Sequence, residues 1–334
     1  MKNTNLTDTK YLFLSTAIAC LEKSLICGET LDKLVDAKDF SDCFRMVADI
    51  YSDKGELEYT QDFYEKALSA ELSRAYSEID ALIVSSGGES RLLSPLRVVY
   101  DCHNIKSCIK CEALGISPDE MLVSCGNFSS QKIAEMVKDR DFEALGENLA
   151  QTVLSAIEEF STTGDPQMVD IIIDRGAFAE MHRISQSIDL PYLSSLCAIK
   201  ADMCNIMTFV RAHKAGIGTA LLEKMLQEGG NVPKDIFTGS LDGGAEKMFS
   251  KLSGYYDDFV DGDEKSLSAL EKKCDGIYLS EAESIWLSSF GPEKPIMYMI
   301  RKENEIRNVR IVLSGKKAGL SAEVIRERLR VSAR

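Results

Sequence analysis

Few residues in this chain have the types and spacing for chemistry. Cys102, His103, Cys108 and Cys111 gather three thiols and an imidazole within ten positions, the side chains that hold zinc. Asp257, Asp258, Asp261 and Asp263 gather carboxylates. They lack the alternate-position ligands of a calcium loop and read as a solvated loop. Gly315-Lys316-Lys317 lacks the upstream glycine and the hydroxyl of a phosphate loop, and no GxGxxG occurs. The three histidines (His103, His182, His213) sit in no nucleophile or metal motif, and Trp286, in a helical pattern, reads as core. Asn127-Phe128-Ser129 matches a glycosylation acceptor, which carries no meaning for an intracellular chain. No nucleophile, base and oxyanion donors come together, so the expectation is no catalytic, cofactor or metal site.

One spacing does stand out, because it occurs three times. An acid is followed by Asn three residues on, and by Gly eleven after the Asn: Asp101, Asn104, Gly115; Asp202, Asn205, Gly216; Glu305, Asn308, Gly319. A β-branched residue follows each Asn (Ile105, Ile206, Val309), and an aliphatic one follows each Gly (Ile116, Ile217, Leu320). The Asn-to-Asn intervals are 101 and 103, and a fixed period marks a repeated structural module. The copies also decide the cysteines. Cys102 aligns with Met203 and Ile306, and Cys108 with Phe209 and Val312. Free Cys behaves as a small hydrophobe, so these are expected core positions rather than metal ligands. The acid and Asn read as structural, bonding a neighbouring backbone or helix terminus.

The elements that must position these residues are helices. Each copy lies in a long helix expected to begin at a proline (Pro95, Pro191, Pro295), with Ser94 as a cap for the first. Apolar residues recur at helical spacing behind each Asn: Ile105, Cys108, Ile109; Ile206, Phe209, Val210; Val309, Val312, Leu313. The closing glycines stand where a left-handed cap ends a helix. Ser117, Gly218 and Ser321 follow as caps for the next helices, Ser117-Pro118-Asp119-Glu120 as a full capping box. Gly28-Glu29-Thr30, Gly126-Asn127-Phe128 and Gly230-Asn231-Val232 recur at the same period, one ahead of each long helix. Leu57, Phe63, Leu68, Leu72, Tyr76, Ile79 and Ile83 trace another helix, stopped at Ser85-Ser86-Gly87-Gly88. Strand alternation is scarce. The fold class is all-α, with expected domains at 1–117, 118–218 and 219–334. The last carries a C-terminal helix that could pack back on the first unit.

Bulk properties narrow the function. The 334 residues suit two or three domains, and 45% hydrophobic with 28% charged residues suits a globular protein. A net charge of −14 repels phosphate backbones and anionic headgroups, so nucleic acid and broad membrane-surface binding are not expected. No run of 18 apolar residues suggests a bilayer span. The apolar run Tyr11 to Cys20 behind Lys2 and Lys10 imitates a lipoprotein signal. However, Asp8 interrupts the basic region, and Glu22, Lys23 and Leu25 continue a helical pattern, so an intracellular first helix is expected. Ten cysteines then read as reduced thiols.

The segment Glu303-Asn304-Glu305-Ile306-Arg307-Asn308-Val309-Arg310-Ile311, with Gly315-Lys316-Lys317-Ala318-Gly319-Leu320-Ser321 and Ile325-Arg326-Glu327-Arg328-Leu329-Arg330, is similar to the end of the C subunit of V/A-type ATPases, whose vacuolar counterpart is the d subunit. Asp101 to Gly115 resembles the family's first-domain segment, and the likeness runs the whole length. The second copy is looser, with Met203-Cys204 where charged residues are more typical. The resemblance implies a pseudo-threefold funnel of three helical domains. It implies a non-catalytic central-stalk rotor subunit without cofactor or small-molecule substrate. Such a subunit sits peripherally at the cytoplasmic face of the membrane and links the axle subunits to the proteolipid ring. There it transmits torque for proton or sodium transport, in pumping or in ATP synthesis. Arg211, Lys214, Lys316 and Lys317, near helix ends, are the expected partner contacts, weighed against cations that merely favour a helix C-terminus. The rival reading is a cytosolic helical-repeat scaffold unrelated to ATPases.

Overall fold

The computed structural model describes residues 11–52, 64–259, 266–287 and 290–330. Leu57 and Phe63, Lys2, Asp8 and Lys10, Asp261 and Asp263, and 331–334 lie outside the described residues. The fold is all-α, and no strand occurs among the described residues. The α-helices are α1 (Leu12–Glu22), α2 (Gly28–Asp36), α3 (Phe40–Ser52), α4 (Tyr64–Ser85), α5 (Ser94–Leu114), α6 (Ser130–Asp139), α7 (Glu147–Thr163) and α8 (Pro166–Ile188). Then follow α9 (Pro191–Lys214), α10 (Thr219–Met225), α11 (Lys234–Thr238), α12 (Gly244–Ser250), α13 (Leu267–Ala282), α14 (Glu293–Lys317) and α15 (Ala322–Arg328).

Two compact units form, one from residues 1–93 with 275–334 and the other from 94–274. The first is built around α14, which packs against α1, α2, α3, α4 and α15. Ile296, Met297, Met299, Ile306, Val309, Val312 and Leu313 supply its buried surface. In the second unit α5 and α7 both pack on α8, with α6 beside α5 and α9 beside α8. Val98, Cys102, Ile105, Cys108 and Ile109 of α5 enter one apolar cluster with Ile133, Val137, Val153, Val169 and Ile173. Cys102 and Cys108 are core side chains, as are their aligned residues Met203, Ile306, Phe209 and Val312. Burial pushes the Cys108 thiol up to about 11 and disfavours the Cys102 thiolate as well.

The helix stops are alike in all three copies. Gly115, Gly216 and Gly319 have φ of 66°, 69° and 71°. The Ile116, Ile217 and Leu320 N–H groups bond the carbonyls five residues back, at Cys111, Ala212 and Gly315. These are the bonds of a left-handed glycine cap with its aliphatic follower. Ser321 caps α15 by accepting the Val324 N–H, and α10 starts after Gly218.

Several expectations are corrected. The third long helix starts at Glu293, not Pro295; Pro295 still lies in the first turn, where no intrahelical N–H bond is lost. Ser117 opens a turn instead of a helix. Its hydroxyl donates to Asp119, the Met121 N–H returns to the Pro118 carbonyl, and the next helix, α6, waits until Ser130. Helix α1 stops at Glu22 and does not run through Leu25. Trp286 is 42% exposed rather than core, with the Arg301 guanidinium 4.6 Å from its ring centre. Helix α9 is long and apolar enough to cross a bilayer by composition, and most of that stretch is buried inside the protein.

At Gly216 an added Cβ meets nothing within 4 Å, so the cost of Gly216→Ala is backbone strain alone. The expected loss is about 1–2 kcal/mol in urea unfolding; an unchanged midpoint would contradict the left-handed stop.

Candidate functional site

On each long helix the acid and the Asn stand three residues apart, so both side chains leave one face. The Asn grips a single residue of backbone. Asn104 donates to the Val123 carbonyl at 2.8 Å and accepts the Val123 N–H at 2.9 Å. Asn205 does the same with Gln227, at 3.2 and 2.6 Å. Asn308 does so with Arg330, at 2.9 and 2.8 Å. All three are buried, so both ends of each carboxamide are satisfied where water is excluded.

The acid grips backbone further along. Asp101 accepts the N–H groups of Asn127 (3.0 Å) and Phe128 (3.1 Å), with Asn127 Nδ2 at 2.9 Å. Asp202 accepts those of Asn231 (2.9 Å) and Val232 (3.0 Å), and the Tyr256 hydroxyl at 2.7 Å. In both, the preceding residue is glycine because the carboxylate lies against it. A Cβ on Gly126 or Gly230 would fall 2.1 Å from the acid's Oδ1. Burial pushes both carboxyls above their ordinary value, with the bonds from N–H and O–H groups pulling the other way.

The third copy differs. Glu305 accepts the Ile26 N–H at 3.1 Å through one oxygen, and the Tyr51 hydroxyl and Lys302 ammonium, each at 2.7 Å, through the other. Lys302 is fully buried and also lies 2.8 Å from Glu71, itself bonded twice by Arg74 at 2.8 and 3.0 Å. Burial works to raise the Glu71 carboxyl, but the Arg74 and Lys302 bonds outweigh it and hold Glu71 below its ordinary range. The Gly28 element therefore serves the last long helix, not the first. It is also out of register, because Glu305 meets Ile26, two residues before Gly28, and Gly28 opens α2 with φ of 50°.

Lys302, Tyr51, Tyr256, Glu71 and the gripped backbones of Val123, Gln227 and Arg330 carry no expectation from sequence. Lys302 left a signal: three residues before the acid, the other copies carry Val98 and Ile199, so a lysine interrupts an apolar stripe. The cationic positions separate into two kinds. Lys316 donates to the Ala37 carbonyl at 2.5 Å, and Lys317 lies 5.5 and 5.8 Å from the Tyr64 and Phe40 ring centres. Arg211 and Lys214 are exposed at the end of α9, with Glu271 3.7 Å from Arg211.

Elsewhere a cleft of about 500 Å³ between α7 and α8 is lined by Asn148, Thr152, Glu159, Arg175 and Glu228. Within it Arg175 pairs with Glu228, which Lys234 also bonds. Among the described residues, no group of three His, Cys, Asp or Glu could hold a metal ion. The exposed His103 bonds the Met121 carbonyl, and Asp257 accepts the Gly254 N–H.

Comparisons with known proteins agree on one family. The sequence model described as ATP synthase (C/AC39) subunit matches residues 14–328. The C subunit of the V-type sodium ATPase of Enterococcus hirae is 22% identical over 326 residues, covering 96% of this chain and 98% of that protein. The C subunit of the A-type ATP synthase of Methanosarcina mazei is 25% identical, covering 96% and 93%. That of Halorubrum lacusprofundi is 27% identical, covering 82% and 83%.

Removing an acid strands buried N–H groups. Asp101→Ala and Asp202→Ala are each expected to lose about 2–4 kcal/mol in urea unfolding; losses under half a kcal/mol (roughly the exposed-site value) would refute the clamp. Glu71 gives a pH signature. Its carboxyl is lowered from 4.5, so its stabilisation is present above that value and lost as pH falls through the folded-state value. Glu71→Gln should cost about 3 kcal/mol or more at neutral pH. The gap to the parent should narrow on acidification, and a gap constant with pH would contradict the ion cluster.

Proposed function

The chain belongs to the ATP synthase (C/AC39) subunit family, and from that premise we propose that it is the non-catalytic central-stalk subunit of a V/A-type ATPase or ATP synthase. It joins the axle subunits to the membrane proteolipid ring, sits peripherally at the cytoplasmic face, and carries torque for proton or sodium transport. The observation that carries this reading is the family match across residues 14–328, with relatives named as the C subunits of such complexes along nearly their whole length.

The interior supports it physically. A torque-carrying link needs stiffness rather than reacting groups, and the polar residues at the nine repeated positions bind the chain's own backbone. The long helices have 21, 24 and 25 residues, roughly 30–40 Å each. A division into three similar modules is part of the same proposal, supported by three clamps. The bonding favours pairing α5 and α9 with the segments that follow them, and α14 with both Arg330 and Ile26, instead of cutting at 117 and 218. Arg211 and Lys214 are the partner contacts favoured by exposure. Lys317 is a weaker candidate, and Lys316 is already held by Ala37.

An affinity-tagged copy, expressed in cells carrying the complex, tests the reading. It should co-purify with an axle protein and a proteolipid ring. Arg211→Glu with Lys214→Glu should lower that recovery several-fold at an unchanged unfolding temperature. Recovery without any other ATPase component would overturn the proposal and favour the scaffold reading.

A further inference from the structure

In the first two copies one continuous stretch of chain meets both grips. Three residues lie between Val123 and Asn127, and three between Gln227 and Asn231. In the third copy the same two duties fall to opposite ends of the sequence. Arg330 meets Asn308, and Ile26 meets Glu305. The covalent link of the other copies is missing here, and polar bonds crowd the junction. Arg301 approaches Glu22 at 3.5 Å, Lys316 holds the Ala37 carbonyl at 2.5 Å, and Arg326 holds Asp36 at 2.5 Å. Arg330 also bonds Asp275 at 2.8 Å. At the centre stands Lys302, where the other copies have Val98 and Ile199. A cavity of about 220 Å³ runs along the junction, lined among others by Leu25, Cys27, Arg301, Asn304 and Arg330.

We propose that the third copy is a clasp: the Leu25–Gly28 segment and the chain at Arg330 are two halves of one loop, pinned to α14 with Lys302 at the centre. They release and rebind together while the 94–274 unit stays folded. The reason is tethering. A short covalent link presents the second grip's partner at high effective concentration as soon as the first has closed. In the third copy that presentation depends on α1 and α2 being packed on α14, so its closed state is less strongly enforced. The buried Glu71–Lys302–Glu305 ions compensate, and such a cluster fails abruptly when one partner is removed.

Hydrogen–deuterium exchange on the full-length protein tests this at six amides: Ile26 and Arg330 against Val123, Asn127, Gln227 and Asn231. The third-copy pair should exchange at least roughly tenfold faster than the other four. Lys302→Met should accelerate that pair a further ~10-fold and leave the other four unchanged. Asn308→Ala keeps the ion cluster and guards against a misfolded lysine variant. It touches only the Arg330 grip, yet should also accelerate Ile26. Equal protection at all six amides, acceleration of all six together in Lys302→Met, or acceleration of Arg330 alone in Asn308→Ala each overturns the clasp.

Discussion

The interaction on which the fold depends is a buried carboxylate that accepts backbone N–H groups from a loop far along the chain. A loop laid against a long helix has N–H and C=O groups that water no longer reaches, and each must be bonded or the loop lifts off. Asp101, Asp202 and Glu305 satisfy the donors, and the Asn three residues on satisfies one residue completely. Helix, loop and apolar stripe are thereby held in one register. Neither the packing of α5 on α8 nor that of α4 on α14 would by itself fix where the loops lie.

What was legible in the sequence was local. The left-handed glycine stops and the capped start of α15 follow from neighbours a few residues away, and the core placement of Cys102 and Cys108 follows from their apolar counterparts in the other copies. The period pointed to the acid and Asn positions, because a requirement repeated three times leaves a pattern. What escaped was tertiary. Ser117 to Glu120 has every local signal of a helix start, but Asn104 draws Val123 into a two-bond backbone pairing and the helix does not form. Trp286 falls at helical spacing in the sequence, but it stands in a turn, 42% exposed, with the Arg301 guanidinium over its ring. Tyr51 and Ile26, which donate to Glu305, lie 254 and 279 residues away, beyond any spacing rule.

The third copy shows how one requirement is met by different chemistry. The side-chain donor to the acid comes from Asn127, from Tyr256, or from Tyr51 with Lys302. Glutamate with a lysine replaces aspartate beside a glycine, and the longer side chain reaches backbone from the other end of the sequence. Charge pairs collect where covalent continuity is absent. For a subunit proposed to carry torque, rigid helices clamped to their own loops serve better than any reactive group, which fits the structural use of every repeated position.

The most direct measurement is a density map of the membrane-embedded ATPase containing this chain, at a resolution that separates side chains. The chain should lie between the axle and the proteolipid ring, with Asp101, Asp202 and Glu305 each on the backbone described above. A complex assembled without this chain, or with these carboxylates turned toward a partner or a ligand, would contradict a self-clamped link in the stalk.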